Sequence, residues 1–210
     1  MLLTSAVALL CCPGAALAQS APQPDRQPAT VSVSMSRPAG YPQFDVRAEV
    51  GVNASLQRAW QVLTDYSRLA EFVPNLDSSR ELEAETGMTA TPGEHVVEQH
   101  GYARFLFLKQ KLELVLRVKE TPLSQIDMAL MHGNMRKFNA RWQLSETGPD
   151  QITLSYSGLI APDFYVPGLF GPALMRSDLR EMVNAVARRI EQAPDAAAQM
   201  KQPEQSPAVR

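Results

Sequence analysis

Groups able to do acid–base, nucleophilic or metal chemistry are sparse and scattered in this 210-residue chain. Its three histidines are His95, His100 and His132. His95 and His100 fall on one predicted strand at an odd spacing, so they project from opposite faces and cannot share a metal ion. His132 ends a later predicted strand just before a Gly133-Asn134 turn, the place of a rim histidine rather than a general base. Glu98, Glu113, Asp127 and Glu146 are spread along strands among polar neighbours, with no recognisable acid and base pair. Ser155 and Ser157 lack the strand–turn–helix setting of an activated serine, and no Gly-rich phosphate loop opens a helix. Cys11 and Cys12 are the only cysteines, and both precede the expected mature chain, so no thiolate, disulfide or cysteine-bound metal is expected. The residue types therefore assign no catalytic residue, no metal ligand and no cofactor. The polar groups that could orient a ligand are Tyr102, Arg104, His132 and Tyr156.

These side chains must be positioned by elements that the hydrophobic periodicity outlines. Phe44, Val46, Ala48, Val50 and Val52 alternate with polar residues, the period-two signature of a strand with one buried face. Asn53 or Ser55 can cap a helix with the stripe Leu56, Ala59, Trp60 and Leu63. Asp65 opens a second short helix that carries Leu69, Phe72 and Val73 and stops at Pro74. Six strand-like segments follow, at 78–85, 94–108, 110–120, 125–132, 137–146 and 151–160, joined by short turns that favour antiparallel neighbours. On one face they carry sets such as Leu112, Leu114, Leu116 and Val118, or Phe138, Ala140, Trp142 and Leu144. Between Ala161 and Ile190 an apolar loop runs into a long helix with the stripe Met175, Leu179, Met182, Val183, Val186 and Ile190. Arg176, Asp178, Arg180 and Glu181 are assigned to its opposite, polar face. That helix is the element large enough to cover the sheet. The loop before it combines Phe164, Leu169 and Phe170 with Pro167, Gly168 and Gly171, a composition suited to a gate.

The chain length and 45% hydrophobic content fit one domain with tails, expected over 41–192. Residues 1–18 read as a secretory signal: an apolar run from Leu2 to Cys12, a Pro13-Gly14 break and a small-x-small Ala16-Leu17-Ala18 site. Export, to the periplasm in a bacterium, is the expectation. Residues 19–40 and 193–210 are rich in Pro, Gln, Ser or Ala and read as a disordered linker and a disordered tail. A formal net charge of -2 provides no basic field, which argues against nucleic acid as a partner. No feature of the sequence specifies an oligomeric state.

The order of strand, two short helices, six strands and a long C-terminal helix resembles the helix-grip fold of the START-like, or SRPBCC, superfamily. The segment VNASLQRAWQVLTDYSRLAEFVPNLDSSRELE is similar to polyketide-cyclase/dehydrase-like and coenzyme-Q-binding members. So is the end of the chain, with Pro162-Asp163-Phe164, Val166-Pro167 and Met175 to Arg180. The resemblance spans residues 41–192 and implies an α+β fold with a curved antiparallel sheet of about seven strands wrapped on the C-terminal helix. It also implies an apolar cavity between sheet and helix. Lining candidates from the sheet are Phe105, Phe107, Leu114, Leu116, Met128, Leu130, Trp142 and Tyr156. Phe164, Leu169, Met175 and Met182 add the loop and helix, with Pro167, Gly168, Phe170 and Gly171 as the gate. The function implied is binding or transport of a lipid, an isoprenoid quinone or a polycyclic aromatic, with transient membrane contact through the loop. An aromatase/cyclase-like enzyme and a protein-interaction module with a filled core are the alternatives; binding without catalysis is the simpler account.

Overall fold

The computed structural model describes residues 27–83, 92–105, 108–166 and 171–194. Eight strands form one antiparallel sheet: β1 Thr30–Ser36, β2 Gln43–Val52, β3 Leu76–Leu82, β4 Glu94–Phe105, β5 Leu108–Thr121, β6 Gln125–Gly133, β7 Met135–Gly148 and β8 Gln151–Pro162. Their order across the sheet is β1-β2-β8-β7-β6-β5-β4-β3. The chain thus lays down one edge, crosses the sheet through helix α1 (Leu56–Thr64) and a 3-10 helix (Tyr66–Glu71), and returns as a meander until β8 pairs with β2. Helix α2, Gly171–Gln192, completes the fold. This is the expected α+β helix-grip arrangement, with two short helices after β2 and eight strands where about seven were expected.

The additional strand is β1. It lies inside the segment 19–40 expected to be a disordered linker, and it pairs with β2 from Thr30↔Glu49 to Ser36↔Gln43. Val31, Val33 and Met35 alternate with exposed serines and pack against the core, while the backbone N–H of Ala29 donates to Asn184 Oδ1 on α2 at 3.1 Å. The folded unit therefore begins before residue 41. The expected signal, 1–18, and most of the expected tail lie outside the described residues.

Each element follows from its pattern. In β2 the residues Phe44, Val46, Ala48, Val50 and Val52 are buried and those between them exposed. Ser55 caps α1, its Oγ accepting from the Arg58 N–H at 3.3 Å, so of the two capping candidates the serine is used. On the solvent face of the sheet Arg47, Ser157, Arg141, Asp127, Lys119 and Glu94 stand in one cross-strand row. Charges alternate in sign along much of that row, with Arg141 Nε 2.6 Å from Asp127 Oδ1. A shallow hollow of about 650 Å³ lies there. It is lined by these mutually compensating charges, as expected of a solvated surface.

The inner face is covered unevenly. Helix α2 lies over β1 and β2 and touches α1, and the 3-10 helix lies on β3. In the middle, β6 and β7 pair only from Gln125↔Gln143 to Ala129↔Asn139. Beyond that point β6 continues along β5 and β7 along β8, so the sheet splays. Asn134 holds the splay: its Oδ1 accepts from the Glu113 N–H at 3.0 Å and its amide donates to the Lys111 carbonyl at 2.7 Å. Gly133 permits it, with φ 141° and a position where a Cβ would lie 2.1 Å from the Glu113 carbonyl oxygen.

Removing β1, in a chain that begins at Arg37, should destabilise the fold by about 3 kcal/mol, at about 1 kcal/mol for each of three half-buried side chains. Thermal unfolding followed by circular dichroism should show Tm lowered by roughly 6–12 °C. An unchanged Tm would mean that β1 is an ornament on a domain beginning at β2.

Candidate functional site

Between the uneven covers lies a cavity of about 240 Å³. Val46, Leu114, Phe138, Ile160, Met175 and Met182 give it apolar walls from the sheet and from α2. A second space of about 110 Å³ continues inward, walled by Leu63, Tyr66, Leu116, Ile126, Trp142 and Val186. Away from that inner space, the outer cavity is framed by Pro74, Asn75, Tyr102, Pro162 and Phe164.

Of the expected lining residues, Leu114, Phe164 and Met175 border the outer cavity, Leu116, Met128 and Trp142 the inner one, and Tyr156 and Met182 both. Leu130 is half-buried against the core and borders neither. Phe107, Pro167, Gly168, Leu169 and Phe170 lie outside the described residues, as does the side chain of Phe105. Gly171 opens α2 in a buried position, where a Cβ would lie 3.0 Å from Val166 Cγ1 and 3.3 Å from Phe44 Cζ. Close packing is thus what requires a small residue at that end of the expected gate.

Several lining residues were not anticipated. Asp178 was expected on the polar face of α2 but lines the cavity, because it is three residues after Met175 and four before Met182, on the same side of the helix. Burial first, and Glu181 second, push its carboxyl above the usual aspartate range, while nearby Arg104 pulls it back. Gln99 and His100 also border the cavity, as do Pro74, Asn75 and Leu76 in the turn entering β3, where Asn75 adopts φ 62°. Period-three-and-four counting from Met175 would have found Asp178; no local signal marks the turn.

The polar candidates separate. Tyr102 is at the cavity, its hydroxyl accepting from Arg104 Nη2 at 2.9 Å, with Lys109 Nζ 3.6 Å above its ring. Arg104 is exposed, and His132 is exposed and outside the lining. Tyr156 is buried, its ring edge-on to Trp142 at 4.8 Å between centroids, and burial raises its pKa.

His95 is held between carboxylates of the two neighbouring strands. Its Nδ1 lies 2.6 Å from Glu81 Oε1 and its Nε2 3.5 Å from Glu120 Oε1, and its ring is 5.7 Å from that of Tyr66. The Tyr66 hydroxyl donates to the same Glu120 oxygen at 2.5 Å, and burial followed by that bond holds its pKa well above the ordinary phenol range. This brace ties β3, β4, β5 and the 3-10 helix together behind the inner space. Among the described residues no group of three or more His, Cys, Asp and Glu side chains could hold a metal ion.

Comparison with known proteins agrees with this geometry. The sequence model described as polyketide cyclase / dehydrase and lipid transport matches residues 52–187. No curated protein matches the chain in sequence. Among solved structures, a START superfamily protein from Mycobacterium smegmatis has a TM-score of 0.58 at 19% identity, over 70% of this chain and 97% of its own. The STAR-related lipid transfer protein of Xanthomonas axonopodis has a TM-score of 0.58 at 14% identity, over 76% and 99%. The Zhui aromatase/cyclase from a Streptomyces species has a TM-score of 0.53 at 18% identity, over 74% and 98%. At these identities the likeness is one of fold.

An aspartate whose folded pKa lies above its unfolded value binds its proton more tightly when folded. Stability then falls as pH rises from the ordinary aspartate pKa, about 4, through the raised one. The urea midpoint of Asp178→Asn, measured against the unsubstituted protein, should therefore gain on it across that window and remain higher at neutral pH. A difference that does not change with pH would show that Asp178 is solvated and does not face the cavity.

Proposed function

Because the chain belongs to the polyketide cyclase / dehydrase and lipid transport family, we propose that it binds and carries a hydrophobic small molecule between its sheet and helix α2. The observation that carries this reading is the cavity of about 240 Å³, which continues inward between Tyr156 and Met182 and is walled mainly by apolar side chains. Desolvation of apolar surface is the driving force, at roughly 25 cal/mol per Å² buried. A lipid, an isoprenoid quinone or a polycyclic aromatic is the class of ligand such walls accept. Residues 162–172 are the proposed gate, and Tyr165 among them, 80% exposed, is a point for transient membrane contact. The leader-like residues 1–18 support a reading in which it works outside the cytoplasm, in the periplasm if the cell is bacterial.

One observation favours a second reading, an aromatase/cyclase-like enzyme. Asp178 borders the cavity with its carboxyl raised in pKa, as a proton-transfer group would require. In that reading Asp178→Asn abolishes turnover of a cyclisable substrate, whereas in a carrier it leaves ligand retention intact.

Native mass spectrometry with lipid extraction, on protein purified from its own compartment, should find a hydrophobic molecule bound. Met182→Trp, which fills the junction of the two spaces, should lower the bound fraction, with affinity weakened at least about tenfold, the loss of ~1.4 kcal/mol of contact. Met175→Trp tests the same point from the outer cavity if the first variant folds poorly. Protein that emerges empty, with both variants indistinguishable from it, would exclude the carrier reading.

A further inference from the structure

Tyr156 occupies the junction of the outer and inner spaces and forms part of both walls. Six residues are common to the two walls: Val73, Leu76, Gln99, Phe138, Tyr156 and Met182. Four of these are apolar and none is charged. Tyr156 is 6% exposed, and among the described residues its hydroxyl has no hydrogen-bond partner. Burial alone shifts its titration, upward, so the hydroxyl keeps its proton and remains a donor. Buried hydroxyls in folded proteins nearly always have a partner, and one left unsatisfied is destabilising where phenylalanine would fill the same space. Gln99 faces the same junction from β4, and among the described residues its side-chain amide makes one hydrogen bond, to Ser79 Oγ at 3.5 Å. The junction thus offers a phenol donor and an underused amide donor inside apolar walls.

We infer that the ligand carries a neutral carbonyl oxygen that rests at this junction and accepts the hydrogen bond of the Tyr156 hydroxyl. The inference rests on the ligand-binding reading above and narrows it to ketones, quinones and esters. A carbonyl has two lone pairs, so it can accept from Tyr156 and from the Gln99 amide together. A pure hydrocarbon leaves the Tyr156 hydroxyl unsatisfied. A carboxylate or phosphate here would be desolvated with no cation on the junction walls to pair with it. Helix α2 supplies Met182 at this level and no competing acceptor, since Asp178 borders the outer cavity alone.

The test compares menadione with methylnaphthalene, the same bicyclic ring without its oxygens, binding to the unsubstituted protein and to Tyr156→Phe by calorimetry. The ratio of quinone to hydrocarbon affinity should fall about tenfold in the variant, as for one lost hydrogen bond, with the hydrocarbon affinity unchanged. The infrared carbonyl stretch of bound menadione should lie at lower frequency in the unsubstituted protein than in Tyr156→Phe, a shift that a packing role would not produce. The Tm of the variant should equal or exceed that of the parent. If both probes bind but the ratio and the carbonyl frequency do not change on substitution, the carbonyl inference is wrong and the carrier reading stands. If neither probe binds the unsubstituted protein, both fall.

Discussion

Helix α2, 22 residues long, and the 3-10 helix leave part of the sheet's apolar inner face over a cavity rather than under a cover. Helix α2 is committed to β1 and β2, where Leu179, Val183, Val186 and Ile190 are buried, and the 3-10 helix is committed to β3. The strands between them face a gap. Interiors close such gaps by packing, because unfilled space forfeits about 24 cal/mol per Å³ on the scale of core truncations, several kcal/mol for a cavity of this size. Here collapse is opposed from both ends. Asn134 fastens its turn to the backbone of β5 and keeps β6 and β7 apart, and Glu81, His95, Glu120 and Tyr66 brace the far end of the sheet. A bound apolar molecule would fill the space that these constraints prevent the protein from filling itself.

This division of labour separates stability from recognition. The solvent face carries a charge row that compensates itself, and the core under α2 is closely packed up to Gly171 and Phe44. Polar groups at the cavity are few and stand at two levels: Asn75, His100, Tyr102 and Asp178 at the outer cavity, Gln99 and Tyr156 at the junction. Apolar walls with sparse, placed polar groups are what small-molecule recognition requires.

Much of the fold was legible because period two and period 3.6 are written plainly in β2, β5, β7 and α2. β1 was missed although Val31, Val33 and Met35 alternate strictly, because serine fills the other positions and Pro and Gln surround them, so composition outweighed period. Asp178 was missed by assigning charge to solvent, where the helical step from Met175 to Met182 places it at the cavity. The turn at Pro74–Leu76 became part of the site only through tertiary contact with β4, Tyr102 N–H donating to the Asn75 carbonyl at 2.9 Å. The brace around His95 was not foreseen because its partners Glu81 and Glu120 come from neighbouring strands, and pairing across strands has no local signature.

The central claim is that an accessible apolar cavity exists between sheet and helix, and xenon tests it without any assumption about the ligand, since apolar cavities take up xenon. With methyl-labelled methionine, NMR under xenon pressure should shift the signals of Met135, Met175 and Met182, which border the cavity, and leave Met35 on β1 in place. Methyl signals of Met135, Met175 and Met182 that do not move under xenon would contradict it and identify the inner face as a solid core.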